Sequence, residues 1–285
     1  MRNPSLISKG ENGKENMVYK VYSGRVGGVF GDLITVEVDS STGLPAFEII
    51  GLPGSEVREA GERVRVALKN CGINLPSMKE VVNLSPADEH KEGAGFDLPI
   101  AVALLGVYGH IPEFDAEKTL ILGELSLDGE ITSVRGVLPI VRMAAERGFE
   151  RVLLPGANAR EGAMIRNIDI IPVNHLNDAL LWMSLPKELK DGQISPYKRE
   201  SMDFKNETDE TLDFSDVVGQ ESVKRAAAIA AAGFHHFVMT GPPGTGKSLI
   251  ARRIPGIMPE LTYEESLEVS LYGQFPESLM PECPL

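Results

Sequence analysis

The sequence predicts an α/β protein of two domains, and three observations support this. Strand and helix patterns alternate at short intervals over residues 17–185, as in a domain with helices packed on a sheet. A strongly charged stretch at 186–212 follows. Beyond it, over 213–285, a strand pattern leads directly into a glycine-rich loop and a helix. With 42% hydrophobic and 24% charged residues, the composition is typical of globular proteins, so we expect the chain to fold.

Charge and cysteine content exclude several classes of protein. Lys and Arg total 28 against 41 Asp and Glu, which gives a formal net charge of -13. This charge excludes nonspecific electrostatic binding of the whole surface to nucleic acid or anionic lipid, so any DNA contact must be local. Cys71 and Cys283 are too few and too far apart for a disulfide framework, and they predict a reducing compartment. No secretory signal or membrane span is present, which predicts a cytoplasmic protein without a membrane partner and with a disordered tail at 1–16.

The first domain begins where β-rich alternation starts at Met17. Ile34, Val36 and Val38 fall on one face of a strand with period two, and 46–50 is predicted to be a neighbouring strand. Apolar residues at three- and four-residue steps predict an amphipathic helix over 55–70, ended by residues 70–72. The charged residues on its outer face are Arg58, Glu62, Arg65 and Lys69.

A buried helix and a hairpin are predicted in the second half of this domain. The apolar run from Asp97 to Val107 predicts a buried helix, with Asp97 suited to the N-cap. Asp128-Gly129, between strands at 119–126 and 130–134, predicts a two-residue type I′ hairpin with positive φ at both positions. The remaining predicted elements are a strand at 80–84, a loop at 85–95, a helix at 137–147, strands at 151–154 and 168–173, and a helix at 175–184.

The charged stretch is predicted to be a linker. Half of residues 187–210 are charged and the apolar ones are scattered, so the stretch buries little surface to offset its ordering entropy. After it, the alanine-rich run 221–232 predicts a helix that ends at Gly233. His235–Thr240 is then predicted to be a strand.

That strand pattern runs into a P-loop pattern, which is Gly241, Pro242, Pro243, Gly244, Thr245, Gly246, Lys247 and Ser248. Glycines at 241, 244 and 246 let backbone N–H groups wrap around phosphate oxygens without Cβ clashes. Lys247 offers a positive charge to the β- and γ-phosphates, and Ser248 offers a hydroxyl to Mg²⁺. The alternative is a Gly/Pro-rich turn, but the strand-to-helix setting favours binding of ATP with Mg²⁺.

Two groups of motifs resemble one family. The carboxyl-terminal group, which is similar to the start of the magnesium-chelatase-like AAA+ module, consists of Gly219-Gln220, Lys224-Arg225-Ala226, 230–236, the P-loop and 251–259. The upstream group, which resembles the amino-terminal domain of YifB/ComM proteins, consists of Gly51-Leu52-Pro53, 57–59, 63–64, 82–88, 91–93, 96–101 and 123–129. The resemblance covers about residues 17–270.

This resemblance implies a fold and a set of binding residues. It implies an amino-terminal domain with the fold shared by ribosomal protein S5 domain 2 and the Lon protease catalytic domain, followed by a P-loop AAA+ domain. Val218 and Gly219 would lie near the adenine, and Gly244 to Ser248, followed by Leu249, would hold the phosphates and Mg²⁺. Family members form hexameric rings, and the best understood are DNA motors in branch migration, so copies of the chain and DNA are expected partners.

The sequence departs from the family after the P-loop. No apolar run ending in Asp-Glu, the Walker B segment that orients the attacking water, follows Ser248, and residues 271–276 drift from the family pattern. The sensor residues, the arginine finger and the helical lid are likewise not found. We expect a truncated chain that binds ATP without hydrolysing it.

Peptidase activity is not expected. Gly95 occupies the position of the Lon nucleophile, and no lysine occurs near Gly136. Ser85 and Lys91 form a conceivable pair, but a turn serine and a solvated lysine are the favoured interpretation. The remaining functions are a DNA-remodelling motor and a chelatase-like or chaperone-like assembly protein.

Two further groups of residues are weak candidates. Adjacent His235 and His236 point to opposite faces of a strand, so one is expected to be buried, the other to face a loop, and neither to bind a metal. The basic residues of helix 55–70 could contact a phosphate backbone. Glutamates interleave with them, however, and pairing on a solvated helix face is the favoured interpretation. The basic residues are Arg58, Arg63, Arg65 and Lys69, and the glutamates are Glu56, Glu59 and Glu62.

Overall fold

The computed structural model describes residues 8–9, 15–16, 18–93, 95–112, 114–186, 194–198, 212–259 and 261–273. Contacts divide the chain into two compact units. The first contains the residues up to Arg199 together with those from Leu271 onward, and the second runs from Glu200 to Ser270.

The first unit alternates strands and helices. Its strands are β1 (Ser8–Lys9), β2 (Glu15–Asn16), β3 (Tyr19–Gly27), β4 (Phe30–Ser41), β5 (Ala46–Ile50), β6 (Lys79–Ser85), β7 (Thr119–Ile121), β8 (Glu124–Leu125), β9 (Ile131–Thr132), β10 (Arg151–Pro155) and β11 (Asp169–Val173). Its helices are α1 (Ser55–Asn70), α2 (Asp97–Val107), α3 (Val137–Glu146), α4 (Ala159–Gly162) and α5 (Leu176–Ser184). The predicted helices at 55–70 and 97–107 are confirmed.

Seven strands form one mixed sheet in the order β11-β10-β7-β3-β4-β6-β5. Four of the six strand pairs are parallel, and β4 is antiparallel to both β3 and β6. This sheet confirms the α/β class. The prediction that β5 neighbours β4 is wrong, because β6 lies between them and pairs with both.

Helices cover both faces of this sheet. Tyr19 and Gly24 lie on opposite faces of β3, since they are five residues apart. The Tyr19 ring packs against Gly106 of α2, whereas Gly24 packs against Ile140 of α3. As predicted, α2 is buried, and Leu98 is among its fully buried apolar residues.

Two local predictions in this unit are wrong. Asp97 is the first residue of α2 rather than its N-cap, and its buried carboxylate accepts a hydrogen bond from the backbone N–H of Leu125 at 3.2 Å. The β8–β9 hairpin is not type I′, because only Gly129 has positive φ, at 93°. Ser126 N–H donates to Glu130 O at 2.9 Å, so the loop that this hydrogen bond closes has three residues, 127–129. In a loop of this length Asp128 does not need the left-handed conformation.

The predicted tail and linker lie mostly outside the described residues. Within the tail, β1 pairs with β2 in a short antiparallel ladder. Within the linker, residues 194–198 are described, and they belong to the first unit. Tyr197 N–H donates to Ile170 O of edge strand β11 at 2.8 Å, and Ile194 packs against the core. An edge strand offers unpaired backbone groups, so this part of the stretch is anchored rather than free.

The second unit contains α6 (Glu221–Ala232) and α7 (Lys247–Ala251), and α8 spans Tyr263–Gly273. Helix α6 has the predicted bounds. The predicted strand at 235–240 is wrong: this segment is not a strand, and Val238 is 83% exposed. A strand is defined by hydrogen bonds to a neighbour, and no described residue pairs with this segment. Of the described helices, none is both long and apolar enough to cross a membrane.

Candidate nucleotide-binding site

The glycine-rich loop leads into α7, and its backbone has a shape that only glycine adopts easily. Gly244 and Gly246 have φ of 81° and 83°, the left-handed region, and Gly246 directly precedes α7. A Cβ built on either glycine would have no neighbour within 4 Å. The space beside this backbone is therefore open to a group that approaches the loop closely.

Lys247 lies over this loop. Its Nζ donates to the carbonyl oxygens of Gly241 and Pro242, each at 2.8 Å, and to Thr245 Oγ1 at 3.3 Å. Thr245 Oγ1 in turn donates to Pro242 O at 3.0 Å. All three partners of the ammonium are uncharged, so its positive charge is not neutralised by them and remains available to an anion.

The remaining predicted site residues are all exposed. Pro243, Ser248 and Leu249 are exposed to solvent. Val218 is 96% exposed, and Val218 and Gly219 are tied to the loop through the next residue, because Gln220 Nε2 donates to Thr245 O at 3.1 Å. The structure therefore places Gln220, which directly follows the two predicted adenine-side residues, against the predicted phosphate-side loop.

Sequence reasoning missed the role of Arg253 at this site. Its guanidinium donates to Asp213 O at 2.9 Å, to Leu249 O at 3.0 Å and to Asp216 Oδ2 at 3.2 Å. Only 11% of this side chain is exposed. The available signal was the pair of arginines, Arg252 and Arg253, that follows α7. That signal does not reveal which residues the guanidinium contacts.

The histidine pair is placed differently from the prediction. Both His235 and His236 are exposed, because the segment forms no strand and so has no buried face. Among the described residues, no group of three or more His, Cys, Asp or Glu side chains could hold a metal ion.

The basic residues of α1 do not form a free basic patch. Arg63 Nε and Nη2 donate to the two carboxylate oxygens of Asp97 at 2.9 and 3.0 Å, and Arg65 pairs with the buried carboxylate of Glu80. The favoured interpretation, pairing along the helix surface, holds only for the weaker Arg63–Glu59 contact at 3.7 Å. The main partners come from other elements of the fold, and Arg58 and Lys69 remain exposed.

The conceivable Ser85–Lys91 pair does not form. Ser85 Oγ accepts a hydrogen bond from Asn83 Nδ2 at 2.9 Å, and Lys91 Nζ donates to Pro86 O. The prediction of a solvated Lys91 is wrong, because this side chain is fully buried and burial lowers the pKa of its ammonium. The backbone of Lys91 is held by two hydrogen bonds: its N–H donates to Leu52 O, and its carbonyl oxygen accepts from Gly54 N–H.

Two family profiles match the chain. Residues 36–158 match the profile described as subunit ChlI of Mg-chelatase, and residues 213–277 match one described as magnesium chelatase, subunit ChlI. The second match includes the P-loop, Val218, Gly219 and Arg253.

Curated relatives match over most of this chain. Competence protein ComM of Haemophilus influenzae is 36% identical over 250 residues, which are 88% of this chain and 48% of ComM. YifB of Escherichia coli is 37% identical over 241 residues, 85% of this chain and 46% of YifB. An archaeal Lon protease of Pyrococcus abyssi is 28% identical over 191 residues, 60% of this chain and 19% of that protease.

The chain thus spans about half the length of the curated relatives it matches well. Both family profiles name the same chelatase subunit, and they match in the order and positions of the two sets of motifs. The protein belongs to the magnesium-chelatase-like AAA+ family that includes YifB and ComM.

Proposed function

We propose that this protein binds ATP with Mg²⁺ at residues 241–249. One observation carries the proposal: Gly244 and Gly246 hold the loop in a left-handed shape with open space beside it, and Lys247 reaches over the same loop. A backbone of this kind directs N–H groups toward a phosphate. Membership of an AAA+ family supports the same assignment.

The site residues divide the work of binding. Lys247 exchanges its contacts with the carbonyls of Gly241 and Pro242 for phosphate oxygens, which are stronger acceptors because they are charged. The exposed Ser248 hydroxyl would be a ligand of Mg²⁺, whose preferred ligands are oxygen atoms. Val218 and Gly219 face the base. When bound, Mg²⁺ would supply positive charge that offsets the charge of the phosphates.

A titration tests this proposal. We expect Lys247→Ala to raise the Kd for a fluorescent ATP analogue by about tenfold or more, since a charge-assisted contact is lost. Lys224→Ala is the matched control, because Lys224 pairs with Glu221 on α6 and takes no part in the loop. Equal affinities of the wild type and Lys247→Ala would contradict the proposal.

For the whole protein we propose an ATP-driven DNA-remodelling motor that acts as a ring of identical subunits. The support is the similarity to a protein named competence protein ComM. The chelatase descriptions of both profiles favour a second function, an assembly protein that acts on a protein or a metal-insertion partner. ATP turnover by a full-length relative decides between them: stimulation by DNA supports the motor, and stimulation only by a protein partner supports the second function.

We further propose that residues 17–185 share the fold of the Lon catalytic domain and of ribosomal protein S5 domain 2, without peptidase activity. The partial similarity to archaeal Lon protease supports the fold. The contacts of Ser85 and Lys91 with other residues support the lack of a catalytic dyad. Full retention of a casein substrate after prolonged incubation is the expected result of a peptidase assay.

A further inference from the structure

A largely buried arginine joins two segments of the proposed nucleotide site that are far apart in sequence. Arg253 contacts the carbonyl oxygen of Leu249 in α7, the carbonyl oxygen of Asp213 and the carboxylate of Asp216. Guanidinium is suited to this because its N–H groups form a rigid planar fork that serves several acceptors at once. The contact links α7 to a turn about forty residues upstream.

That upstream turn is itself closed by its own side chains. Asp213 Oδ1 accepts from Ser215 N–H at 2.6 Å, and Asp216 Oδ2 accepts from Asp213 N–H at 3.3 Å. Arg253 therefore donates to the same carboxylate oxygen that closes the turn. Val217, which follows the turn, is buried, whereas Val218 is almost completely exposed. The turn consequently determines the position at which the chain passes from the buried Val217 to the exposed Val218.

A second contact fixes the other side of Val218 and Gly219. Gln220 Nε2 donates to Thr245 O of the P-loop at 3.1 Å. Val218 and Gly219, the two residues assigned to the base, thus lie between two anchored positions. Arg253 holds the turn that precedes them, and Gln220 directly follows them. Within residues 241–249 the two anchors bond to the backbone carbonyl oxygens of Thr245 and Leu249, which cannot bind phosphate, and not to the Lys247 ammonium or the Ser248 hydroxyl. We therefore expect their loss to affect the base side of the site more than the phosphate side.

We propose that Arg253, together with Gln220, is a positioning residue that holds Val218 and Gly219 against the base of a nucleoside triphosphate. This inference rests on the proposed ATP binding and adds a specific consequence. Loss of Arg253 weakens binding of ligands that carry a base, and it spares binding of inorganic triphosphate, which only the P-loop holds.

The test compares two ligands on the full 285-residue chain. Kd values for Mg·ATP and for Mg²⁺ with inorganic triphosphate are measured by calorimetry for the wild type, Arg253→Gln and Arg253→Lys. Arg252→Gln is the matched control, because Arg252 is the adjacent and exposed arginine. Asp216→Asn removes the charged partner of Arg253, so the test remains decisive if Arg253→Gln fails to fold.

We expect Arg253→Gln and Asp216→Asn to raise the Kd for Mg·ATP by about tenfold and to change the Kd for triphosphate by less than about twofold. Arg253→Lys is expected to have an intermediate effect, and Arg252→Gln none. Equal losses for both ligands, no loss for either, or a wild type that binds ATP no more tightly than triphosphate would overturn the inference. A wild type that binds neither ligand would instead refute the proposed ATP site.

Discussion

Arg63 and Asp97 form an ion pair in which one partner has no access to water. The Asp97 side chain is 0% exposed and that of Arg63 is 22% exposed. Burial raises the pKa of the Asp97 carboxyl, while the hydrogen bonds from Arg63 and from Leu125 N–H act in the opposite direction. The carboxylate therefore depends on Arg63 for its charged form.

We expect Arg63→Gln to lower the free energy of unfolding by about 3 kcal/mol, because it leaves a buried carboxylate uncompensated. Urea denaturation followed by the fluorescence of Trp182, the single and buried tryptophan, measures this change. Arg58→Gln, on the exposed face of the same helix, is the control and is expected to change stability by less than about 0.5 kcal/mol. Similar losses for the two variants would contradict this account.

Cys71 provides a pH-dependent signal at the residue scale. Burial and, to a lesser degree, the Asp128 carboxylate raise the pKa of its thiol above the ordinary 9.0. The folded state thus holds this proton more tightly than the unfolded chain. The stability that Cys71 contributes is therefore present below pH 9 and is lost as the pH rises through the folded-state pKa.

Alkylation of Cys71 by iodoacetamide should consequently be slower in the native protein than in urea at pH 8.5, because only the thiolate reacts. Peptide mass spectrometry after timed labelling gives the rate for Cys71 separately from that for Cys283. Equal native and unfolded rates at Cys71 would show that neither burial nor Asp128 affects the thiol.

At the scale of elements, the packing of β4 on α3 depends on a residue without a side chain. A Cβ at Gly31 would lie 2.5 Å from Pro139 O and 2.8 Å from Ile140 Cα. Both atoms are backbone, so they cannot move aside as the end of a side chain could. The strand and helix approach each other as closely as they do because position 31 is glycine.

Gly31→Ala is accordingly expected to destabilise the first unit by about 1–3 kcal/mol through overpacking. The same denaturation assay measures it. Gly43→Ala serves as the control, since its nearest neighbour would be Lys79 Cβ at 3.9 Å, an ordinary contact. A Gly31→Ala protein as stable as Gly43→Ala would mean that α3 shifts without cost.

At the scale of the whole molecule, the first unit contains the seven-stranded sheet, and the second contains the P-loop. We predict that limited proteolysis cuts first between Lys187 and Glu210, because this stretch is rich in charge and poor in apolar residues. Fragment masses locate the cleavage sites. Early cleavage within residues 50–150, with 187–210 intact, would contradict the predicted division into domains.

The 285-residue polypeptide by itself is expected to bind Mg·ATP without measurable turnover. No aspartate occurs after Asp216, so no Asp-Glu pair is available to orient the attacking water. Loss of an arginine finger alone typically slows phosphoryl transfer by about 10³–10⁵-fold. Phosphate release at saturating Mg·ATP should equal that of Lys247→Ala. Turnover of about one per second that Lys247→Ala abolishes would mean that other residues complete the site.

The sequence by itself determined the features that depend on near neighbours in the chain. The bounds of α1, α2 and α6 follow from apolar periodicity, a continuous apolar run and alanine content respectively, which all act within a few residues. The spacing of Gly241, Gly244, Gly246 and Lys247 is likewise local, and together with the predicted strand-to-helix setting it identified the candidate site. The helix of that setting is present in the structure, and the strand at 235–240 is not. The α/β class followed from the order of these elements.

Only the tertiary structure decided the features that join distant parts of the chain. It placed β6 between β4 and β5, buried Lys91, and paired Arg63 with a carboxylate 34 positions away. It also brought Arg253 to Asp213, and among the described residues it gave 235–240 no strand partner. The physical reason is that a side chain or strand edge is satisfied by whichever group packing brings to it, and residue type and spacing do not encode that group.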